Sequence, residues 1–289
     1  MFDGVNLMSF KKVANQLNNL TYTDYYLRLK MLATSMFKWS NLPNGMDEKW
    51  IEMFLFNKGS CVFYEDDKRG LMVAECTHED TNNYNEPSRV SPHGIDIDET
   101  KSLVVNEECI LIKNNDLMLP TSYFVNLFAY RLAQITRTID VNIHAQKTPY
   151  IIVSNNKNLL TMKNVYAKVE NNEVAIVVDK NLDLDNVKVL QTDAPIVFPQ
   201  LQVQKQTLWN ECLTFLGLNN ANTDKRERLI SDEVEANNEH IEMSAEIFLK
   251  SRQRAAEQIN TLFKCDCKVE LRKEVNLKCM QNTPQVLEN

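Results

Sequence analysis

At 289 residues, 44% apolar and 25% charged with only 6 Gly and 8 Pro, the chain can bury a sizeable core as one large domain or two modest ones, and its composition is that expected of a soluble globular protein. Its formal net charge of −7 excludes a protein that grips nucleic acid over its whole surface. No stretch approaches a membrane-spanning helix, and residues 1–12 carry neither a basic start nor a continuous apolar run, so no membrane segment and no signal peptide are expected, and synthesis is expected in the cytosol.

In chain order, Thr21 or Thr23 as a cap, Asp24 in the first turn, and Leu29, Leu32, Met36 and Trp39 at helical spacing predict a helix over residues 21–39. The run Asn41-Leu42-Pro43-Asn44-Gly45 ends it. Runs rich in β-formers follow at 61–64, 71–75, 103–105 and 109–113, and the longest polar loop between them is 77–100. They predict a small, mostly β module. A second helix begins after Pro120 with Thr121 or Ser122 as its cap and carries Phe124, Leu127, Phe128, Leu132, Ile135 and Ile139 to about Asn142. At the rise of an α-helix it spans about 30 Å.

Strands at 150–153, 174–178 and 187–192 around a helical piece at 161–170 predict a compact α/β insertion. Leu201, Leu208, Trp209, Cys212, Phe215 and Leu216 then mark a third helix stopped by Gly217. Residues 219–242 are polar and acidic and read as a long loop or frayed helix. A fourth helix over 244–263 and a strand over 265–272 precede a polar tail expected to be disordered. A helix, an insertion and a returning helix make a hairpin with a small domain at its tip, and no internal repeat is present.

The chemistry-bearing motifs are mostly missing. Neither GxxxxGK[ST] nor GxGxxG occurs, so an ATP motor is not expected. His78, His93, His144 and His240 lie far apart, none in HExxH spacing, and no Ser sits in GxSxG. Seven scattered cysteines without a CxxC pair predict reduced thiols rather than a disulfide framework or zinc site. The Cys265-Asp266-Cys267 triplet has the alternation of a half-buried strand, so two buried thiols are expected there and no metal. Asp183 with Asp185, or Asp96 with Asp98, could hold a divalent ion or act as an acid/base pair, but neither has the glycine and distal Glu of a calcium loop. Lys147, Lys157, Lys163 and Lys168 read as a solvated face, with nucleic acid or an acidic partner as the alternative. No catalytic residue, metal or cofactor is expected.

One charge pattern stands apart. Lys225, Arg226 and Arg228 are followed by Asp232, Glu233, Glu235 and Glu239, so a ring of copies would set a belt of cations beside a belt of anions. Each phosphate that a cation neutralises adds a counterion-release term, with a salt slope of about −0.9 per contact. A surface that touches DNA without trapping it should therefore hold few cations.

Several short motifs, in order along residues 39–272, resemble the portal protein of small short-tailed phages of the phi-29 type. They include Trp39 with Asn41-Leu42-Pro43, Asn142 with Ala145-Gln146-Lys147-Thr148-Pro149, and Thr192-Asp193-Ala194-Pro195. Further along come Trp209-Asn210-Glu211, Thr214-Phe215-Leu216-Gly217, Asn220-Ala221-Asn222, Glu227-Arg228, Asp232-Glu233-Val234 and Phe248-Leu249-Lys250-Ser251-Arg252.

The resemblance implies an α+β portal fold with long stem helices, an α/β clip insertion, and a mixed wing holding a small β module. By position, 1–120 would be the N-terminal helix and β-rich wing, 121–143 and 200–218 the stem helices, and 144–199 the clip. Residues 219–243 would be the tunnel loop, 244–275 the wing helix and strand, and 276–289 the tail. It further implies a dodecameric upper collar, or head-tail connector, at a capsid vertex of the virion, made in the bacterial cytoplasm. The expected partners are double-stranded viral DNA in transit, the major capsid protein, a packaging ATPase, a lower collar or tail protein and a scaffold protein.

Lys205, Lys225 and Arg226 fall where the family carries channel cations, and Arg228 joins them as a candidate DNA-channel residue from the charge pattern, whereas Gln200 stands at a family stem lysine. Phe124, Leu127, Phe128, Trp209 and Phe215 are expected to pack between subunits. The start, Met1-Phe2-Asp3-Gly4, lacks the basic arm that relatives use with a packaging RNA, so RNA binding does not carry over. A non-portal virion adaptor, and a nucleic-acid enzyme using Asp183 and Asp185, are the alternatives.

Overall fold

The computed structural model describes residues 10–43, 45–94, 101–147, 150–153, 188–191, 195–219 and 231–272. The chain divides into two units, Met1–Tyr25 with Phe128–Asn210, and Tyr26–Leu127 with Glu211–Asn289.

The second unit is built on a five-stranded antiparallel sheet of β2 (Ser60–Asp66), β3 (Gly70–Thr81), β4 (Pro87–His93), β5 (Leu103–Val104) and β6 (Cys109–Lys113), in the order β5-β4-β3-β2-β6. A bridge between Val105 and Cys109 brings the chain after β5 back to β6, which curls the sheet. Val62, Tyr64, Ala74, Val90, Leu103, Cys109 and Leu111 fill its inner face. Residues 60–64 of β2 are buried on both faces, because Phe63, pointing the other way, packs at a tilt against Phe263 with ring centroids 5.2 Å apart. That explains why β2 reads as a continuous apolar run rather than an alternation.

Helix α2 (Glu48–Lys58) was hidden in the sequence among these β-formers. Asp47 accepts a hydrogen bond from the Lys49 amide at 2.9 Å, Glu48 lies in the first turn, and Ile51, Leu55 and Phe56 are buried. Gly59 ends the helix at φ 83°, where a Cβ would stand 2.0 Å from the Met118 carbonyl oxygen.

Three expectations require correction. The first helix, α1 (Phe10–Thr34), starts earlier than predicted and stops before Trp39, which belongs to strand β1 (Phe37–Ser40). The Thr34 and Ser35 hydroxyls bond back to the Lys30 and Met31 carbonyls at 2.9 and 2.7 Å, and β1 then pairs with a strand more than two hundred residues downstream. The expected loop 77–100 is largely the β3–β4 hairpin, since the Asn82 side chain accepts from the Tyr84 and Glu86 amides and Asn85 adopts φ 62°. The last strand, β9 (Lys268–Leu271), is shorter than predicted, because the Asn260 side chain takes both the Cys267 amide at 2.7 Å and its carbonyl at 2.9 Å.

The first unit contains the N-terminal part of α1, most of helix α3 (Thr121–Lys147), the strand pair β7 (Tyr150–Val153) and β8 (Lys188–Gln191), and most of helix α4 (Phe198–Leu216). The strands pair antiparallel, Tyr150 with Gln191 through Val153 with Lys188. The expected strand 174–178 and helix 161–170 lie outside the described residues. Tyr25 of α1 hydrogen-bonds Thr136 of α3 at 2.9 Å and packs at a tilt beside Trp209 of α4, ring centroids 6.4 Å apart, while Arg137 Nε donates to Asn18 at 2.9 Å.

The fourth predicted helix is also longer than expected. Helix α5 (Ser231–Phe263) takes in residues 231–243, for which the sequence left a long loop or a frayed helix open. Residues 220–230 and the tail from 273 lie outside the described residues.

Candidate functional site

Helix α4 carries Lys205, one of the four residues expected at the channel. From Phe198 to Asn210 it has one ionisable side chain, Lys205, which is half-buried. Gln200, Gln202, Gln204, Gln206 and Thr207 are exposed around it. Neutral amides can exchange hydrogen bonds with water, phosphate or sugar without the counterion release that would hold a polyanion fast. Gln206 in turn donates to Asn210 at 3.0 Å, which stiffens the side-chain layer at that end.

The start of α4 is fixed from another helix. Asn142, buried near the end of α3, donates to the Pro195 carbonyl at 2.8 Å and accepts from the amides of Val197 and Phe198 at 3.1 and 3.3 Å. Two amides that a helix N-terminus leaves unbonded are thus satisfied by a side chain more than fifty residues away. The same contacts hold together the two ends of the insertion at 144–199.

Lys225, Arg226 and Arg228 lie outside the described residues, as do Asp183, Asp185, Asp96 and Asp98. Asp232, Glu233 and Glu235 belong to α5, and Glu239 is exposed on it. The aromatic residues expected at subunit contacts divide. Phe124 meets Phe215 at 4.8 Å and Phe215 meets Phe248 at 6.2 Å, so these two already have partners within the chain. Phe128 and Trp209 are half-buried, and Leu127 is 48% exposed.

A polar cluster that the sequence did not reveal lies in the second unit. Arg252 of α5 forms a two-pronged bond to Glu52 of α2, with Nε–Oε1 at 2.9 Å and Nη2–Oε2 at 2.7 Å. It also donates to the Asn114 carbonyl and side chain and to the Phe248 carbonyl, and its guanidinium lies 4.1 Å from the Phe37 ring centroid. Trp39 Nε1 donates to the same Glu52 carboxylate at 2.9 Å, and Asn114 reaches Thr121 at the start of α3. This cluster is structural, since the Arg252 donors and the Glu52 carboxylate are matched within it, and only a small cavity lined by Asn114, Thr121, Phe248 and Arg252 borders it. The only sequence hint was Ser251-Arg252 in an apolar helix face.

Among the described residues, no group of three or more His, Cys, Asp or Glu side chains is gathered as a metal site. Cys267 is buried and donates weakly to the Asn41 carbonyl, and burial pushes its thiol up to about 11. His78 Nε2 lies 3.1 Å from the Ser60 hydroxyl, and burial, followed by Lys113, lowers its pKa.

Residues 6–276 match the family model described as Phage Connector (GP10). The chain is also similar to a solved chain of the portal and tail of native bacteriophage P68, with a TM-score of 0.54 and 14% identity over 96% of this chain and 95% of that one. That likeness shows a shared portal fold. A second solved structure, an HK97-family phage portal protein from Corynebacterium diphtheriae, aligns at a TM-score of 0.48 and 9% identity over 90% of this chain and 94% of that one.

Proposed function

Because the chain belongs to the phage connector family, we propose that it is the subunit of a dodecameric portal ring through which double-stranded DNA is packaged, retained and released. The observation that carries this reading is the portal fold, shared along nearly the whole length of the chain. The chemistry of α4 supports it: from Phe198 to Asn210 its exposed polar side chains are neutral amides and a hydroxyl with Lys205 as the single cation, which suits a wall past which a polyanion must slide.

The mechanism is passive. A packaging ATPase docked on the insertion at 144–199 drives DNA inward, and the ring supplies the channel and the anchor in the capsid. Lys205, with Lys225, Arg226 and Arg228 of the 219–230 segment, touches phosphates briefly, while the carboxylates from Asp232 to Glu239 keep contacts from accumulating. The subunit catalyses nothing and needs no cofactor. Its partners are further copies of itself, the major capsid and scaffold proteins, the ATPase and a lower collar or tail protein; its place is the head-tail junction of the virion.

Negative-stain electron microscopy of the purified chain tests the reading. Rings with a central hole are expected; stable monomers at micromolar concentration would overturn it in favour of an adaptor. Replacing residues 222–230 with a short Gly-Ser linker tests the retention role. Rings and DNA entry should survive and packaged DNA should leak, whereas full retention would exclude that role for the segment.

A further inference from the structure

Helix α1 presents an open apolar face with the period of a coiled-coil seam. Leu17, Leu20, Leu27 and Met31 are 41, 56, 50 and 61% exposed, and together with Asp24 they recur at alternating steps of three and four residues. The opposite face is occupied: Leu29 and Ala33 are buried, and Asn18 and Tyr25 bond to Arg137 and Thr136 of α3.

Helix α3 repeats the arrangement. Tyr123, Leu127, Tyr130 and Val141 are 70, 48, 55 and 62% exposed and share one stripe with the exposed Gln134. On its other side Val125, Ala129, Leu132 and Ala133 are buried. Each helix thus uses one face inside the chain and turns a second apolar stripe outward. Exposed apolar stripes of this length mark contact surfaces rather than ordinary solvated ones.

The two stripes suit each other better than they suit themselves. Asp24 is the midpoint of the α1 stripe, so two α1 stripes paired in register would set Asp24 against Asp24, whether parallel or antiparallel. The α3 stripe has no acidic residue from Tyr123 to Ile139 and exposes Arg131 beside Tyr130. We infer that the α1 stripe of one copy docks on the α3 stripe of the next, with Asp24 turned toward Arg131. The contact is heterologous, two different faces of one chain meeting, and this is the kind that closes a ring when repeated. The inference rests on the ring reading and adds the faces that build it.

Complementary inactivation provides the test. Leu20→Glu with Leu27→Glu spoils the α1 stripe, and Leu127→Glu with Tyr130→Glu spoils the α3 stripe. All four positions are exposed, so both variants should keep the helical circular dichroism of the parent chain. In sedimentation velocity each variant alone should run as a monomer. Their equimolar mixture should form a one-to-one dimer, because one good pair of faces remains. Rings from either variant alone, or a mixture of folded variants that stays monomeric, would overturn the assignment while leaving the ring reading intact. If the parent chain itself forms no rings, both fall.

Should a variant fold poorly, the charges give a milder probe. Asp24→Arg and Arg131→Glu should each weaken ring formation, and the combination should restore it. No recovery in the combined variant would count against the inferred pairing.

Discussion

Arg252 and Glu52, two hundred residues apart in sequence, form a two-pronged ion pair whose side chains are 3% and 2% exposed. The pair ties α5 to α2, and through Trp39 and Asn114 it reaches β1 and the start of α3.

Removing one partner leaves a buried charge with no counterion, which costs about 3–5 kcal/mol. Arg252→Met alone should therefore lower the denaturant midpoint steeply. Arg252→Met combined with Glu52→Leu should recover much of the loss, because the stranded carboxylate is gone. A double variant no more stable than Arg252→Met in chemical unfolding would show that the hydrogen bonds to Asn114 and Trp39, rather than the charge pair, dominate.

Gly217 and Gly70 both have positive φ, at 77° and 73°, but differ in surroundings. A Cβ on Gly217 would stand 2.6 Å from Ala245 atoms of α5, whereas one on Gly70 meets nothing within 4 Å. Gly217→Ala should cost about 1–3 kcal/mol or more, since strain adds to a backbone clash that cannot relax cheaply. Gly70→Asn should be nearly neutral, because Asn tolerates the left-handed region in a turn. Thermal melts of the two variants check the contrast.

Asn142→Leu removes three hydrogen bonds at the start of α4 and leaves the Val197 and Phe198 amides unbonded. The expected loss is about 1–3 kcal/mol. Hydrogen exchange should locate it, with protection falling first at Val197 and Phe198. Unchanged exchange there would show that water or the chain itself caps the helix equally well.

Burial pushes the thiols of Cys76, Cys109 and Cys212 from 9.0 up to about 12, with nearby acidic groups adding to it. At pH 8 the thiolate fraction falls about a thousandfold relative to an exposed thiol. Iodoacetamide should leave these three unmodified in the native protein and label them in urea. The folded state holds the protonated thiol, so its contribution to stability is full below pH 9.0 and is lost as pH rises toward about 12. Stability that is flat from pH 8 to 11 would show that these thiols ionise without opening the fold.

The helical spacing after Pro120, the stop at Gly217 and the apolar run of β6 were all legible along the chain, because each signal is local: a cap, a positive-φ glycine, a run of β-branched residues. Trp39 was misread because four residues are too few to separate period two from period 3.6, and its strand partner Val269 is far away in sequence. Helix α2 was hidden because Trp50, Ile51, Phe54 and Leu55 suit a strand as well as a helix until the cap at Asp47 and the stop at Gly59 are seen to act together.

What the sequence by itself determined is a chain of long amphipathic helices around a small β module, poor in cations where α4 is exposed and lacking the phosphate-binding and hydrolytic motifs sought. Composition and local periodicity are sufficient for that. Only the tertiary structure decided which apolar residues were already used. Phe124 and Phe215 close on each other within the chain, while Leu20, Leu27 and Tyr130 stay open. Hydrophobic attraction has no direction, so a sequence records that a side chain will seek cover but not whether its own chain or a neighbouring one provides it.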